Sequence, residues 1–247
     1  MSKVRCVLLA SAAVCAGATA ALAADLPTKK GPPPAPVAAP FSWTGFDVGV
    51  QGGYGWGAEN DDLSLSQFEF TADHFNGSGA IGGAHIGYDQ QFGSFVLGVR
   101  GEFDFSGLHG STHATSYTDN APCYEGCTLS LSFRNTWQAF LLARDGVAFD
   151  RLLVYATGGL AIADDRESVV MTDYYEDLWT GSQTNTLVGG AIGLGAEYAF
   201  DEHWRLGAEW RYANFGKADY SAFGPSTVNY KAGFSENLGL VSLSYGF

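Results

Sequence analysis

Residues 43–57 read WTGFDVGVQGGYGWG, and their period is two. Phe46, Val48, Val50, Tyr54 and Trp56 alternate with Asp47, Gly49, Gln51, Gly53 and Gly55. Successive side chains of a strand point to opposite faces, so this stretch predicts a strand with one apolar face and one small or polar face. The pattern returns seven times: around Ala84–Ile86–Tyr88, Phe95–Phe103–Phe105, Leu131–Phe133–Trp137–Leu141, Leu152–Val154–Leu160, Val188–Ile192–Tyr198, Trp204–Leu206–Trp210–Tyr212 and Val241–Leu243–Tyr245–Phe247. Each segment allows the roughly 9–11 residues that a tilted membrane strand needs.

The connections alternate as well. Short turns are expected at Gly93-Ser94, between Asp145 and Arg151, and at Asp201-Glu202. Long connections are expected at about 57–76, 107–128, 165–184 and 217–233. Aromatic residues cluster at both ends of the apolar face, with Phe46, Phe95, Trp204 and Phe247 at one end and Tyr54, Trp56, Phe105 and Trp210 at the other. Two aromatic girdles around an apolar band are what a bilayer selects. The reading is an all-β fold: an eight-stranded antiparallel up-and-down transmembrane β-barrel over 41–247, with short periplasmic turns and four long extracellular loops.

Composition agrees. Only 16% of the 247 residues are charged, and 33 are Gly, a poor recipe for a soluble helical enzyme. A net charge of −13 makes nucleic acid an unsuitable partner. Lys3 and Arg5 precede a run of apolar or small residues over 7–22, and Ala21-Leu22-Ala23 has the form that signal peptidase accepts. A signal peptide over 1–23, cleaved after Ala23, implies export. Val14 before Cys15 argues against lipidation. Six of the eight prolines lie in 24–40, so a Pro-rich, extended periplasmic linker is expected there.

The leader ending in Ala24-Asp25-Leu26-Pro27, the Pro-rich arm and Trp43-Thr44-Gly45-Phe46 running into Gly52-Gly53-Tyr54-Gly55-Trp56-Gly57 resemble the small outer-membrane surface-antigen barrels of rhizobia, brucellae and bartonellae. So do residues 151–161, RLLVYATGGLA, and the terminal Tyr245-Gly246-Phe247. The resemblance covers essentially all of 43–247. It implies a barrel of OmpA or OmpX size, in a family of major surface proteins that help keep the envelope intact, serve as immunogens and in some cases bind haem. It also implies that Tyr245 and Phe247 form the signal read by the barrel-assembly machinery. No haem-ligand motif of the family can be matched residue by residue.

An eight-stranded barrel has an interior that side chains fill. Arg100, Glu102, Asp104, Arg134, Arg144, Glu197, Arg205, Glu209 and Arg211 are assigned to the polar, inward face as an ion network, since charges away from bulk water must pair. His85 is expected near Glu102 or Arg100, and Glu197 opposite Arg205. No nucleophile elbow, zincin motif or phosphate loop occurs, so no enzyme and no cofactor are expected.

In the second long loop, His109, His113, Cys123 and Cys127 could form a zinc site. A Cys123–Cys127 disulfide is the preferred reading, because exported thiols oxidise. The first and third loops are rich in Asp and Glu. The leading functional class is a structural surface barrel that stabilises the envelope and exposes acidic loops. A surface receptor for haem or another small ligand is the second, and a narrow ion channel the third. Expected partners are outer-membrane lipid and lipopolysaccharide, the assembly machinery, and haem or a host surface.

Overall fold

The computed structural model describes residues 41–59, 76–116, 127–172, 178–222 and 228–247. The leader, the Pro-rich arm and Cys123 lie outside the described residues. The described chain forms strands β1 (Gly45–Glu59), β2 (Asn76–Phe92), β3 (Phe95–Ser106), β4 (His109–Ser116), β5 (Cys127–Arg134), β6 (Trp137–Phe149), β7 (Leu152–Thr172), β8 (Leu178–Ala199), β9 (Trp204–Ala222) and β10 (Val228–Gly246). β3 and β4 are consecutive parts of one stave, as are β5 and β6. Every neighbouring pair is antiparallel, and β1 pairs with both β2 and β10. The ten strands therefore make eight staves closed into a barrel, which leaves no free edge.

Side chains of the apolar face point out. Phe46, Val50, Phe105, Ile192 and Phe247 are all exposed, Phe247 to 74%. Those of the polar face are enclosed, as the alternation requires. The first short turn is Gly93-Ser94, with Phe92 opposite Phe95 and Gly93 at φ +65°, a conformation that suits Gly. The second is tighter than expected: β6 runs on past Asp145, and the turn is Asp150-Arg151 alone. In the third, Asp201 accepts the backbone amides of Trp204 at 2.7 Å and His203 at 2.8 Å. These bonds, Trp204's foremost, hold its carboxyl below the usual carboxylate range.

Two expectations about the far end need correction. Residues 107–128, 165–184 and 217–233 are expected as loops, yet His109–Ser116 is strand β4 paired with β5, the β7–β8 ladder continues to Thr172 opposite Leu178, and β9–β10 to Ala222 opposite Val228. Alternation persists there, and it turns Asp165 and Glu167 inward and buries them. The second correction concerns β5. Arg134 pairs with Arg166 and Gln138 with Ala163, so three residues of the β5–β6 stave oppose two of β7. That extra residue reverses the facing of everything beyond it. Leu131 and Phe133 point inward instead of toward lipid, and Ser132 and Arg134 point outward.

Candidate functional site: the filled barrel interior

The short-turn mouth is stoppered by the residues before β1. Trp43 is completely buried. Its backbone N–H donates to Gln91 Oε1 at 2.8 Å, and its indole N–H to the Asp150 carbonyl at 3.0 Å. Phe41 packs edge-on against it, and the Arg205 guanidinium lies 5.0 Å from its ring centre. Val96, Ala148, Leu153 and Ala199 complete this plug. Gly45 lets the chain leave the mouth for the wall: its φ is +149°, and a Cβ there would strike the carbonyl oxygen of Phe247.

Above this plug lies a chain of ion pairs. Asp47 contacts Arg100 at 3.2 Å, and Arg100 contacts Glu197 at 3.6 Å. Glu197 also accepts from Arg144, whose other nitrogen donates to Asp89 at 3.1 Å. Asp89 then reaches Arg205 at 4.0 Å. His85 joins through Asp47 at 3.6 Å and Ser244 Oγ at 3.0 Å. The Arg144 guanidinium also lies 3.9 Å from the centre of the Tyr155 ring. A second knot centres on Arg211, which donates to Glu102 at 2.6 and 3.0 Å and to Glu209 at 2.9 Å. Gln51 Nε2 bridges Glu102 at 3.0 Å and Asp104 at 2.8 Å. Tyr155 and Thr157 hydroxyls each donate to Glu209 at 3.1 Å.

Toward the long-loop end the filling becomes apolar. Phe215 stacks on Phe234 with ring centres 5.6 Å apart, Phe133 lies 5.5 Å from Phe234, and Phe140 lies 6.3 Å from Phe215. Leu108, Leu142, Leu187, Leu238 and Leu240 pack around them.

The structure thus brings Arg100, Glu102, Asp104, Arg144, Glu197, Arg205, Glu209 and Arg211 into the interior. Arg134 is not among them: it is exposed on the outer wall, because of the extra residue in its stave. Glu197 does not face Arg205. The β8–β9 register places Gly207 opposite Glu197 and Arg205 opposite Ala199, and Glu197 pairs with Arg144 and Arg100 instead. His85 does lie opposite Glu102 across β2–β3. Sequence reasoning left Asp47, Asp89 and Gln51 out of the network, although the same alternation put them on its face. It also missed the Trp43 stopper. Tyr245 and Phe247 sit on the outer face, their rings 5.2 Å apart, and Tyr245 stacks on His203. Of Cys127 only the backbone is described, opposite Ser116. Among the described residues, no group of three or more His, Cys, Asp or Glu is placed to hold a metal ion.

Known proteins with this pattern share one location. The family described as "Outer membrane protein beta-barrel domain" matches residues 6–235. This chain belongs to that family. It is 34% identical to the 31 kDa outer-membrane immunogenic protein of Brucella melitensis, covering 86% of this chain and 90% of that protein. It is 28% identical to the 22 kDa outer membrane protein of Rhizobium leguminosarum bv. viciae, over 82% and 77%. It is 24% identical to the 25 kDa outer-membrane immunogenic protein of Brucella abortus, over 93% of each chain. An outer-membrane barrel whose first strand starts and last strand ends at the short-turn rim places those turns in the periplasm and the long hairpins outside the cell.

Proposed function

We propose that this outer-membrane barrel is a sealed structural element that reinforces the envelope and displays its long hairpins outside the cell. One observation carries the reading. The interior is filled along its length, by the Trp43 plug, the ion pairs and the Phe215 plug in succession. Buried ion pairs held between two apolar plugs make a cross-linked core that occupies the barrel's cross-section. The buried imidazole and carboxylates are committed to that core: His85 to Ser244 and Asp47, Glu209 to Arg211, Tyr155 and Thr157. Contact with the surroundings then falls to the outside surfaces. The Brucella relatives, which are immunogenic by name, support surface display.

Planar-bilayer recording on refolded protein tests the sealed barrel. Wild type is expected to show no steady unitary conductance. Defined channel openings would overturn the reading. A deletion strain is expected to gain sensitivity to detergent, and unchanged resistance would remove the reinforcing role.

A further inference from the structure

On the outer wall, just beyond the aromatic row at the extracellular end, β4, β5 and β7 carry a row of one imidazole and two guanidiniums. His109 is in register with Arg134, and Arg134 with Arg166. The next row outward is Ser111, Ser132 and Ser168, again in register. His109, Arg134 and Arg166 are exposed. Together the two rows line an open concavity of about 420 Å³.

The placement is unusual for this chain. Its net charge is −13, and Arg100, Arg144, Arg205 and Arg211 are all spent inside the barrel. Arg134 and Arg166 instead stand side by side, and neither makes an ion pair among the described residues. Cross-strand neighbours are about 5 Å apart at Cβ, where like charges repel. An anion between them would reverse the sign of that interaction. His109 Nδ1 donates to the Gly107 carbonyl at 2.9 Å, which leaves Nε2 as its remaining polar atom. When protonated, that nitrogen would donate to the same anion.

Depth selects the kind of anion. Trp137 pairs with Phe105 and stacks on Phe103 at 5.8 Å, marking the interfacial girdle. Because three residues of this stave oppose two of β7, Arg134 lies about two ladder steps beyond Trp137, roughly 7 Å at about 3.3 Å per residue. The headgroup layer beyond each side of the hydrocarbon core is roughly 5–8 Å thick, so Arg134 stands within it.

We propose that His109, Arg134 and Arg166 bind a sugar-linked phosphate of an outer-leaflet phosphoglycolipid. The two guanidiniums grip the phosphate oxygens in the forked geometry they favour. The serine row faces the sugar hydroxyls, and the acyl chains descend past Phe103, Phe105 and Trp137. The inference stands on the outer wall and is independent of whether the interior conducts.

The test refolds the protein into zwitterionic vesicles doped with lipid A, removes excess lipid, and measures the lipid A retained. Arg134→Gln/Arg166→Gln is expected to lower apparent affinity at least tenfold, and Arg134→Lys/Arg166→Lys to recover part of it. Heat-modifiable gel mobility confirms that each variant is folded; should the double Gln variant not fold, single Arg166→Gln, expected to lose several-fold, decides. Equal retention by folded wild type and variant would overturn the site. So would displacement of lipid A by inorganic phosphate alone, which would reduce it to a generic phosphate contact. Equal, arginine-dependent retention of phosphatidylglycerol would overturn the glycolipid assignment.

Discussion

Within one barrel, the layer around Arg100 and the layer around Phe215 fill the same cross-section with opposite chemistry. Around Arg100, each guanidinium touches a carboxylate from another stave, so Asp47, Arg100, Glu197, Arg144, Asp89 and Arg205 form a mutually dependent chain across the barrel. Around Phe215, stacked rings and leucines interdigitate without directional partners. The ionic layer fixes which staves face each other, because a shifted register would strand charges. The aromatic layer caps the charges from above, as Trp43 does from below, and burial between the two raises the cost of losing a pair. The two layers should therefore fail in different ways.

Removal of Glu197 should do the most damage. It leaves Arg144 without one of its two carboxylates and Arg100 with Asp47 alone. Breaking a buried pair from one side costs roughly 3–5 kcal/mol. Glu197→Ala is expected to lower the urea midpoint of the refolded protein accordingly, and Glu197→Ala/Arg144→Ala to recover part of the loss. Arg205→Ala should rescue less, because Arg205 makes no ion pair with Glu197. Additive losses in the Glu197–Arg144 cycle would break the picture of a dependent chain.

The aromatic layer should give a smaller and more graded response. Phe215→Ala is expected to cost about 3 kcal/mol, the low end of the range for buried Phe, since a gap near the mouth can fill with water. The sharper readout is the combination. Residues in separate layers ordinarily contribute additively. If the plug keeps the ionic layer dry, Phe215→Ala/Glu197→Ala should lose less than the sum of the single losses, because admitted water solvates the orphaned guanidiniums. Strict additivity, measured by the same urea titrations, would show that the two layers are independent.

The same contrast explains what was legible in the sequence. The lipid-facing wall was readable from period-two alternation, because lipid contact rewards apolar residues at every second position and neighbouring strands cannot change that rule. Charged residues on the opposite face were equally conspicuous, which is why Arg100, Glu102, Arg144 and Arg211 could be placed inside. The aromatic plug was not legible. An apolar residue gives no sign of which side it faces, and Leu131 and Phe133 look like lipid-facing residues until the three-against-two pairing between Arg134 and Gln138 is known. Arg134 was misplaced for that same reason. Partner choice was also hidden, because it depends on the length of the third turn: Phe200–His203 set Gly207, not Arg205, opposite Glu197. Trp43 was read as the start of the first strand, since a side chain returning into the mouth has no period of its own.

The smallest effect is expected where the layers meet. Glu236 is as deeply buried as Glu197, both fully enclosed, but its surroundings belong to the plug. Leu108 and Leu238 lie beside it at the Gly55 wall, and no guanidinium among the described residues pairs with it; Arg211 is committed to Glu102 and Glu209. A neutral amide of the same shape therefore removes no ion pair and relieves the burden of enclosing a carboxyl group there. Glu236→Gln is expected to change stability by less than about 1 kcal/mol, or to raise it, because it breaks no buried ion pair. Glu197→Gln, the same substitution at the same degree of burial, should cost several times more, because it takes the charge away from Arg100 and Arg144 together. Parallel urea titrations of the two variants isolate what a buried carboxylate touches from how deeply it lies. Equal losses would mean that burial alone governs both positions, and the distinction between the two layers would collapse.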